Sequence, residues 1–465
     1  MQNIWGVLIV AIPICIAMLS LRNYRWILLL FFFYGSLHYS FSLPAIFLTQ
    51  ERATPTAISF FCGVLVWVLA IGLFLAYLPS GTLSRTLSLE KNFQVLLFIG
   101  IALVSVLGVT FPLQASSSEL AQTFKGPILS STTWIGAYVF SVGIGKTRFQ
   151  ADVQSRDSIA RLLMILALWV GVVAVAEVSL GVAYAREVMP TTVLSRASGP
   201  MYNPNVLGFW AAYSTIAVCI FFCEEILSRR RMFVLIPILG LVSLLSGSRS
   251  SFVVGLVSAM VLLLGLAVVS APHARRVGVV LIAWLASCTG ILGCAYGLAE
   301  WFGVNSYLTD SLVRNGFRYI LAFGAIFRYL TFRLTGLTPH SREGLTVADL
   351  DSLEGRIGQV FDLEPTTTVD NEFLSWVAIG GWAAFTLYIG LWAILMIEMA
   401  ASLRKYRNRF SLYSLVIVIG LGLSGMSMRI TQMLPTAIFS AIALAFALYW
   451  HRRSREVGFD VRAVQ

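Results

Sequence analysis

Residues 232–270 read MFVLIPILGLVSLLSGSRSSFVVGLVSAMVLLLGLAVVS. Two apolar runs, 232–248 and 250–270, are separated only by a short polar turn that carries a single cation, Arg249. Crossing a ~30 Å hydrocarbon core takes roughly 20 apolar residues, so each run reads as a membrane span. The turn between them is too short to leave the membrane surface. An arginine at such a depth is costly unless it reaches lipid headgroups, lines a wet cavity or meets an anion. Here four serines (Ser246, Ser248, Ser250 and Ser251) surround the guanidinium. Guanidinium binds phosphate bidentately, and hydroxyls and the N–H groups opening the next helix add donors, so the turn reads as an anion site.

The same pattern extends along the chain. Of 465 residues, 58% are hydrophobic and only 12% are charged, against about 25% charged in soluble domains. The mean hydropathy is +0.83. Candidate spans fall at 4–20, 26–42, 56–78, 93–112, 127–145, 161–181, 205–226, 232–248, 250–270, 278–300, 373–397, 410–428 and 433–450. The expected fold is all-α: a polytopic transmembrane helical bundle of about 12–13 spans, forming one membrane domain over 1–465. The N-terminal stretch MQNIWGVLIVAIPICIAML lacks a basic leader and a clear cleavage site, and is read as a first span.

The net charge of +11 suggests a nucleic-acid partner, but the basic residues sit at span ends rather than on one face, which excludes that class. One set of alternate loops holds most of them: Arg22 and Arg25; Arg85 and Lys91; Lys146, Arg148, Arg156 and Arg161; Arg229, Arg230 and Arg231; Arg275 and Arg276; Arg404, Lys405, Arg407 and Arg409; then Arg452, Arg453, Arg455 and Arg462 in the tail. The positive-inside rule places these loops in the cytoplasm and the N-terminus outside. The six cysteines (Cys15, Cys62, Cys219, Cys223, Cys288 and Cys294) all lie in apolar spans without metal-type pairing and read as buried small hydrophobes. No metal and no cofactor is expected.

One polar stretch interrupts the spans. Residues 301–372 form a large loop on the outer side, and loops that long usually carry function. Within it, Asp310–Gly336 reads DSLVRNGFRYILAFGAIFRYLTFRLTG. Val313, Phe317, Ile320 and Phe327 recur at helical spacing, and Arg314 and Arg318 share a face, as in an amphipathic helix resting at the interface. That helix either braces the membrane surface or presents its arginines to a lipid-linked phosphate. The loop ends at Asp370, Asn371 and Glu372, where helix-capping chemistry and a general base are competing readings.

Further outer-side arginines stand at span ends: Arg196 in SRASGPMYNPN and Arg429 in GMSMRITQ. Gly199, Pro200 and Pro204 prevent a continuous helix after Arg196, and Asn205 reads as the cap of the following span. Glu177, near the outer end of the sixth span, is an intramembrane carboxylate and a functional candidate on that ground.

Three segments in this order, SRASGPMYNPNVLGFW (195–210), LLSGSRSSFVVG (244–255) and VDNEFLSWVAIGG (369–381) after the long loop, resemble the O-antigen ligase and polysaccharide polymerase (Wzy-type) superfamily. The resemblance covers roughly 190–385 and rests on order, spacing and topology together. It implies a bacterial inner-membrane glycosyltransferase of GT-C-like architecture with a large periplasmic loop containing short amphipathic helices. The donor it implies is a glycan on undecaprenyl pyrophosphate, and lipid is the surrounding partner. Ligases pass the glycan to lipid A core; polymerases pass it to another carrier-linked unit and act beside a chain-length regulator. Pyrophosphate binding, without metal, falls on Arg196 and Arg249 first, with Arg314, Arg318, Arg429, Tyr202, Asn203 and Asn205 around them. The ligases carry a histidine late in the loop, whereas this chain reads Val369-Asp370-Asn371-Glu372 there and has His340 about thirty residues earlier. That departure favours a polymerase of O-antigen or exopolysaccharide, with Asp370, Glu372 and His340 as candidate bases in that order. A lipid-linked glycan flippase is the alternative of a different class. It fits less well, because few charges lie mid-span and no inverted repeat is visible.

Overall fold

The computed structural model describes residues 129–131, 133–138, 141, 144, 153–181, 196–201, 203–304, 306–313, 372–428, 430, 431 and 434–463. The expected spans at 4–20, 26–42, 56–78 and 93–112 and most of the large loop lie outside them. The described residues form helices and turns without a strand. In chain order the helices are α1 (Val153–Ser179), a 3-10 turn (Gly199–Met201), α2 (Pro204–Cys223), α3 (Arg229–Ser246), α4 (Arg249–Val269), α5 (Ala271–Glu300), α6 (Glu372–Tyr406), α7 (Arg409–Gly425) and α8 (Leu434–Ala463). Further helical residues lie at 129–144 and 307–313.

Among the described residues, four helical stretches are long and apolar enough to cross a membrane: Pro204–Cys223, Arg249–Val269, Ala271–Glu300 and Ala383–Tyr406. Leu163–Ser179 and Arg409–Gly425 are apolar but shorter. Helices suit such surroundings because they satisfy every backbone group internally. Side-chain hydroxyls follow the same logic. Thr133, Thr215 and Ser243 each donate to the carbonyl four residues earlier, at 2.7, 2.9 and 2.8 Å, which satisfies these three hydroxyls within their own helices.

α2 stands at the centre, packed against α3, α4, α5 and α8, and 83% of its apolar window is buried. α5 lies at the rim with only 28% buried. Its outward residues, with those of α4, are Ile282, Leu264 and Val268, as a lipid-facing surface requires. Cys294 belongs to this exposed face, so the expectation that it is buried is corrected, whereas Cys219, Cys223 and Cys288 are buried. α7 packs between α4, α6 and α8. Its foot is anchored by Phe410 stacked on Trp450 of α8 at 5.4 Å.

The helix boundaries gather the charged loops. Glu224, just after α2, pairs with Arg409 at 2.7 Å and accepts from the Tyr413 hydroxyl at 3.0 Å. Its neighbour Glu225 pairs with Arg276 at 2.7 Å. Asn408 caps α7 through Ser411 N–H and also donates to the Ser454 carbonyl of α8 at 2.9 Å. The α2–α3 junction, the start of α5, the α6–α7 junction and the second half of α8 therefore share one end of the bundle, the basic end. Arg275 and Arg276 lie inside the first turns of α5 rather than in a loop. The starts of α2, α4, α6 and α8 share the opposite end.

Candidate functional site

At that opposite end, the chain enters α2 through a strap, residues 196–201. Pro204 occupies the first helical position, where its fixed φ fits and no N–H is missed. The residue before it, Asn203, is extended (φ −145°, ψ 126°) and is the helix cap: its side chain accepts from Asn205 N–H at 2.8 Å. The expectation that Asn205 caps this span is thereby corrected. Asn205 is the second residue of the helix, past the cap position, and its side chain turns back to the strap. Arg196 Nη2 donates to Asn205 Oδ1 at 2.8 Å, and Arg196 Nε donates to the Ser246 carbonyl, also at 2.8 Å. Next along the strap, Ala197 N–H donates to the Leu245 carbonyl at 2.9 Å. Arg196 is half-buried, and its Nε–Nη2 edge forms the clasp.

The clasp lands on the α3–α4 corner. Gly247 closes α3 in the left-handed region (φ 58°), a conformation that glycine adopts without steric cost. Ser248 is the N-cap of α4, but its hydroxyl makes no capping bond and donates to Ser251 Oγ at 2.9 Å. Arg249 is the first residue of α4 rather than a turn residue, and it is half-buried. A helix start whose cap residue looks elsewhere, with a guanidinium on its first residue, concentrates positive potential.

The serines around Arg249 do not all serve as anion donors, which corrects the reading of the turn. Ser246 Oγ donates to the Ser243 carbonyl at 2.7 Å, and Ser251 Oγ donates to the Asn205 carbonyl at 3.4 Å. Ser246, Ser248 and Ser251 are buried; the Ser246 bond stays within α3, the Ser248 bond within the start of α4, and the Ser251 bond reaches α2, where the helices approach closely. A Cβ added at Gly208 would stand 2.5 Å from Ser248 Cβ and 3.0 Å from Ser246 Oγ. Only Ser250, half-buried, lies outside this inward network among the described residues.

Sequence reasoning left the strap's anchor out of the chosen site. Glu177, in the last turn of α1, is 1% exposed. Its Oε2 accepts from the N–H groups of Ser198 and Gly199 at 2.9 and 2.7 Å, and its Oε1 accepts from Ser198 Oγ at 2.8 Å. The legible signal was the carboxylate itself, since a charge in an apolar span implies a specific partner.

A second polar cluster forms at the start of α6. Glu372 is the first residue of that helix and is fully buried. Its carboxylate accepts from the Tyr388 hydroxyl at 2.8 Å and from Thr431 N–H at 3.2 Å, and it is also bonded to Thr431 Oγ1. Thr431 Oγ1 is also hydrogen-bonded with Ser130 Oγ at 3.0 Å, and Trp376 stacks on Tyr388 at 4.9 Å. Glu372 therefore joins α6, the α7–α8 link and the 129–144 helical segment. Tyr388 and Thr431 carried no sequence signal.

The structure thus brings Arg196, Asn203, Asn205 and Arg249 to one corner and sets Glu372 in a separate buried cluster at the same end. Tyr202, Arg314, Arg318, His340, Asp370 and Arg429 lie outside the described residues. Among the described residues, no three His, Cys, Asp or Glu side chains come together as a metal site. No protein-family model and no curated protein matches this chain.

Proposed function

We propose that the protein is a polymerase of O-antigen or exopolysaccharide repeat units. In this reading it transfers glycan from an undecaprenyl-pyrophosphate carrier to another carrier-linked unit at the periplasmic face of the bacterial inner membrane. The basic end of the bundle is cytoplasmic by the positive-inside rule, and the arginine corner faces the periplasm. One observation carries the proposal: the Arg196 strap bonds directly to the corner that opens with Arg249, through Ser246 and Leu245. Two segments far apart in sequence, each with one outer-side arginine, join at one helix start.

The chemistry asks for such a corner. The acceptor sugar hydroxyl attacks the anomeric carbon of the donor. A new C–O bond forms, the C–O bond to the pyrophosphate breaks, and the carrier pyrophosphate leaves with the electron pair. Arg196 and Arg249 neutralise the charge developing on it. Preorganised donors of this kind are each worth about 3–4 kcal/mol. The hydroxyl proton passes to a base, for which Asp370 is the first candidate, ahead of Glu372 and His340.

Incubating purified protein with an undecaprenyl-pyrophosphate oligosaccharide in EDTA tests this reading. Longer carrier-linked glycans are expected. Glycan that stays unchanged while labelled carrier crosses the bilayer would replace the polymerase with a flippase, and transfer only to added lipid A core would make it a ligase.

A further inference from the structure

Two successive backbone N–H groups aimed at one oxygen make an anion cradle. Those of Ser198 and Gly199, with Gly199 at φ 53°, form such a cradle two and three residues after Arg196. The anion in it is the protein's own Glu177 carboxylate, which the Ser198 hydroxyl also bonds. Behind this latch, Ala197 N–H is tied to α3. The strap is therefore fixed to α1 on one side and to α3 on the other, and Arg196 has little freedom to leave the corner.

We propose that Glu177 is a positioning residue. It holds the strap on α1 so that the Arg196 guanidinium is presented at the α3–α4 corner, and it takes no proton in the reaction. This rests on the reading of Arg196 as a ligand of the carrier pyrophosphate. Glutamine separates the latch from a charge or a base. In Glu177→Gln the amide oxygen still accepts from both N–H groups, and the amide nitrogen can donate to Ser198 Oγ once that hydroxyl rotates. A proton carrier would be lost as fully in Glu177→Gln as in Glu177→Ala.

The experiment uses the full chain in nanodiscs and reads both binding of undecaprenyl pyrophosphate, by native mass spectrometry, and transfer. Glu177→Gln is expected to stay near the parent in both. Glu177→Ala is expected to weaken binding on the order of tenfold or more, since it removes several buried hydrogen bonds at once. In an Arg196→Ala background, Glu177→Ala is expected to add no further loss, because both changes act through one guanidinium. If Glu177→Ala does not accumulate, Ser198→Ala serves instead. It removes one latch bond and is expected to weaken binding about fivefold, again only when Arg196 is present. The latch is refuted if Gln behaves like Ala, or if the losses simply add in the Arg196→Ala background. It is also refuted if Arg196→Ala weakens binding while Glu177→Ala does not. Parent-like binding by Arg196→Ala would instead overturn the pyrophosphate reading itself.

Discussion

Arg196 Nε donates to the Ser246 carbonyl at 2.8 Å across fifty residues of sequence. That bond ties the strap before α2 to the last turn of α3, three residues ahead of Arg249. It makes one corner of two arginine segments, and the consequences are measurable.

Arg196→Ala and Arg249→Ala are each expected to abolish long polymer in cells while the protein still accumulates in the membrane. The loss should reach roughly 10²–10³ in transfer rate, the scale for removing one preorganised donor at a developing anion. Glycan ladders beside immunoblots check this. A parent-like ladder from either well-folded variant would sink the assignment.

Asn203 and Asn205 differ by two positions, yet their roles separate. Asn203→Ala removes the α2 cap and should cost about 1 kcal/mol of stability, read as a lower Tm in detergent. Asn205→Ala leaves the cap but takes away the Oδ1 that holds Arg196 Nη2, so transfer should fall more than Tm does. The reverse ranking would show that the strap does not depend on Asn205.

Gly208→Ala places a methyl 2.5 Å from Ser248 Cβ. Both atoms belong to helices that cannot shift independently, so a destabilisation of about 1–3 kcal/mol is expected. Gly290 has nothing within 4 Å of an added Cβ. Gly290→Ala in α5 should be neutral or stabilising by up to ~1 kcal/mol. Equal Tm values for the two variants would contradict the close approach of α2 and α4.

Glu372→Ala leaves the Tyr388 hydroxyl and Thr431 N–H without their carboxylate inside the bundle. Each buried donor orphaned in this way costs about 1–3 kcal/mol. Combined with Tyr388→Phe, the loss should be smaller than the sum of the single changes, with a coupling of roughly 0.5–3 kcal/mol. Additive losses in thermal melts would mean that the Tyr388–Glu372 bond contributes nothing.

Ser250 is half-buried beside Arg249, and its hydroxyl lies outside the inward serine network. In a chain lacking its native cysteines, Ser250→Cys is expected to react with a membrane-impermeant maleimide from the periplasmic side. Labelling only after the cytoplasmic side is opened would invert the topology.

Much of this architecture was legible in composition and spacing. Apolar runs set where α2, α3, α4 and α7 lie to within a few residues, because hydropathy over about one span length is a local property; α5 begins ahead of the expected 278, and α6 and α8 run on past 397 and 450 to Tyr406 and Ala463, because their charged turns stay helical outside the apolar window. Arg196 and Arg249 stood out for the same reason, as cations at apolar ends away from the basic loops. Gly199, Pro200 and Pro204 announced a break in the helix. The pairings were not legible. Whether Asn203 or Asn205 caps α2, whether the serines beside Arg249 face an anion or α2, and that Glu177 grips Ser198 and Gly199 all depend on which helix lies next to which. Hydrogen-bond partners are chosen by distances between helices, and those distances follow from small-residue contacts such as Gly208 on Ser248. No pattern along the chain encodes them.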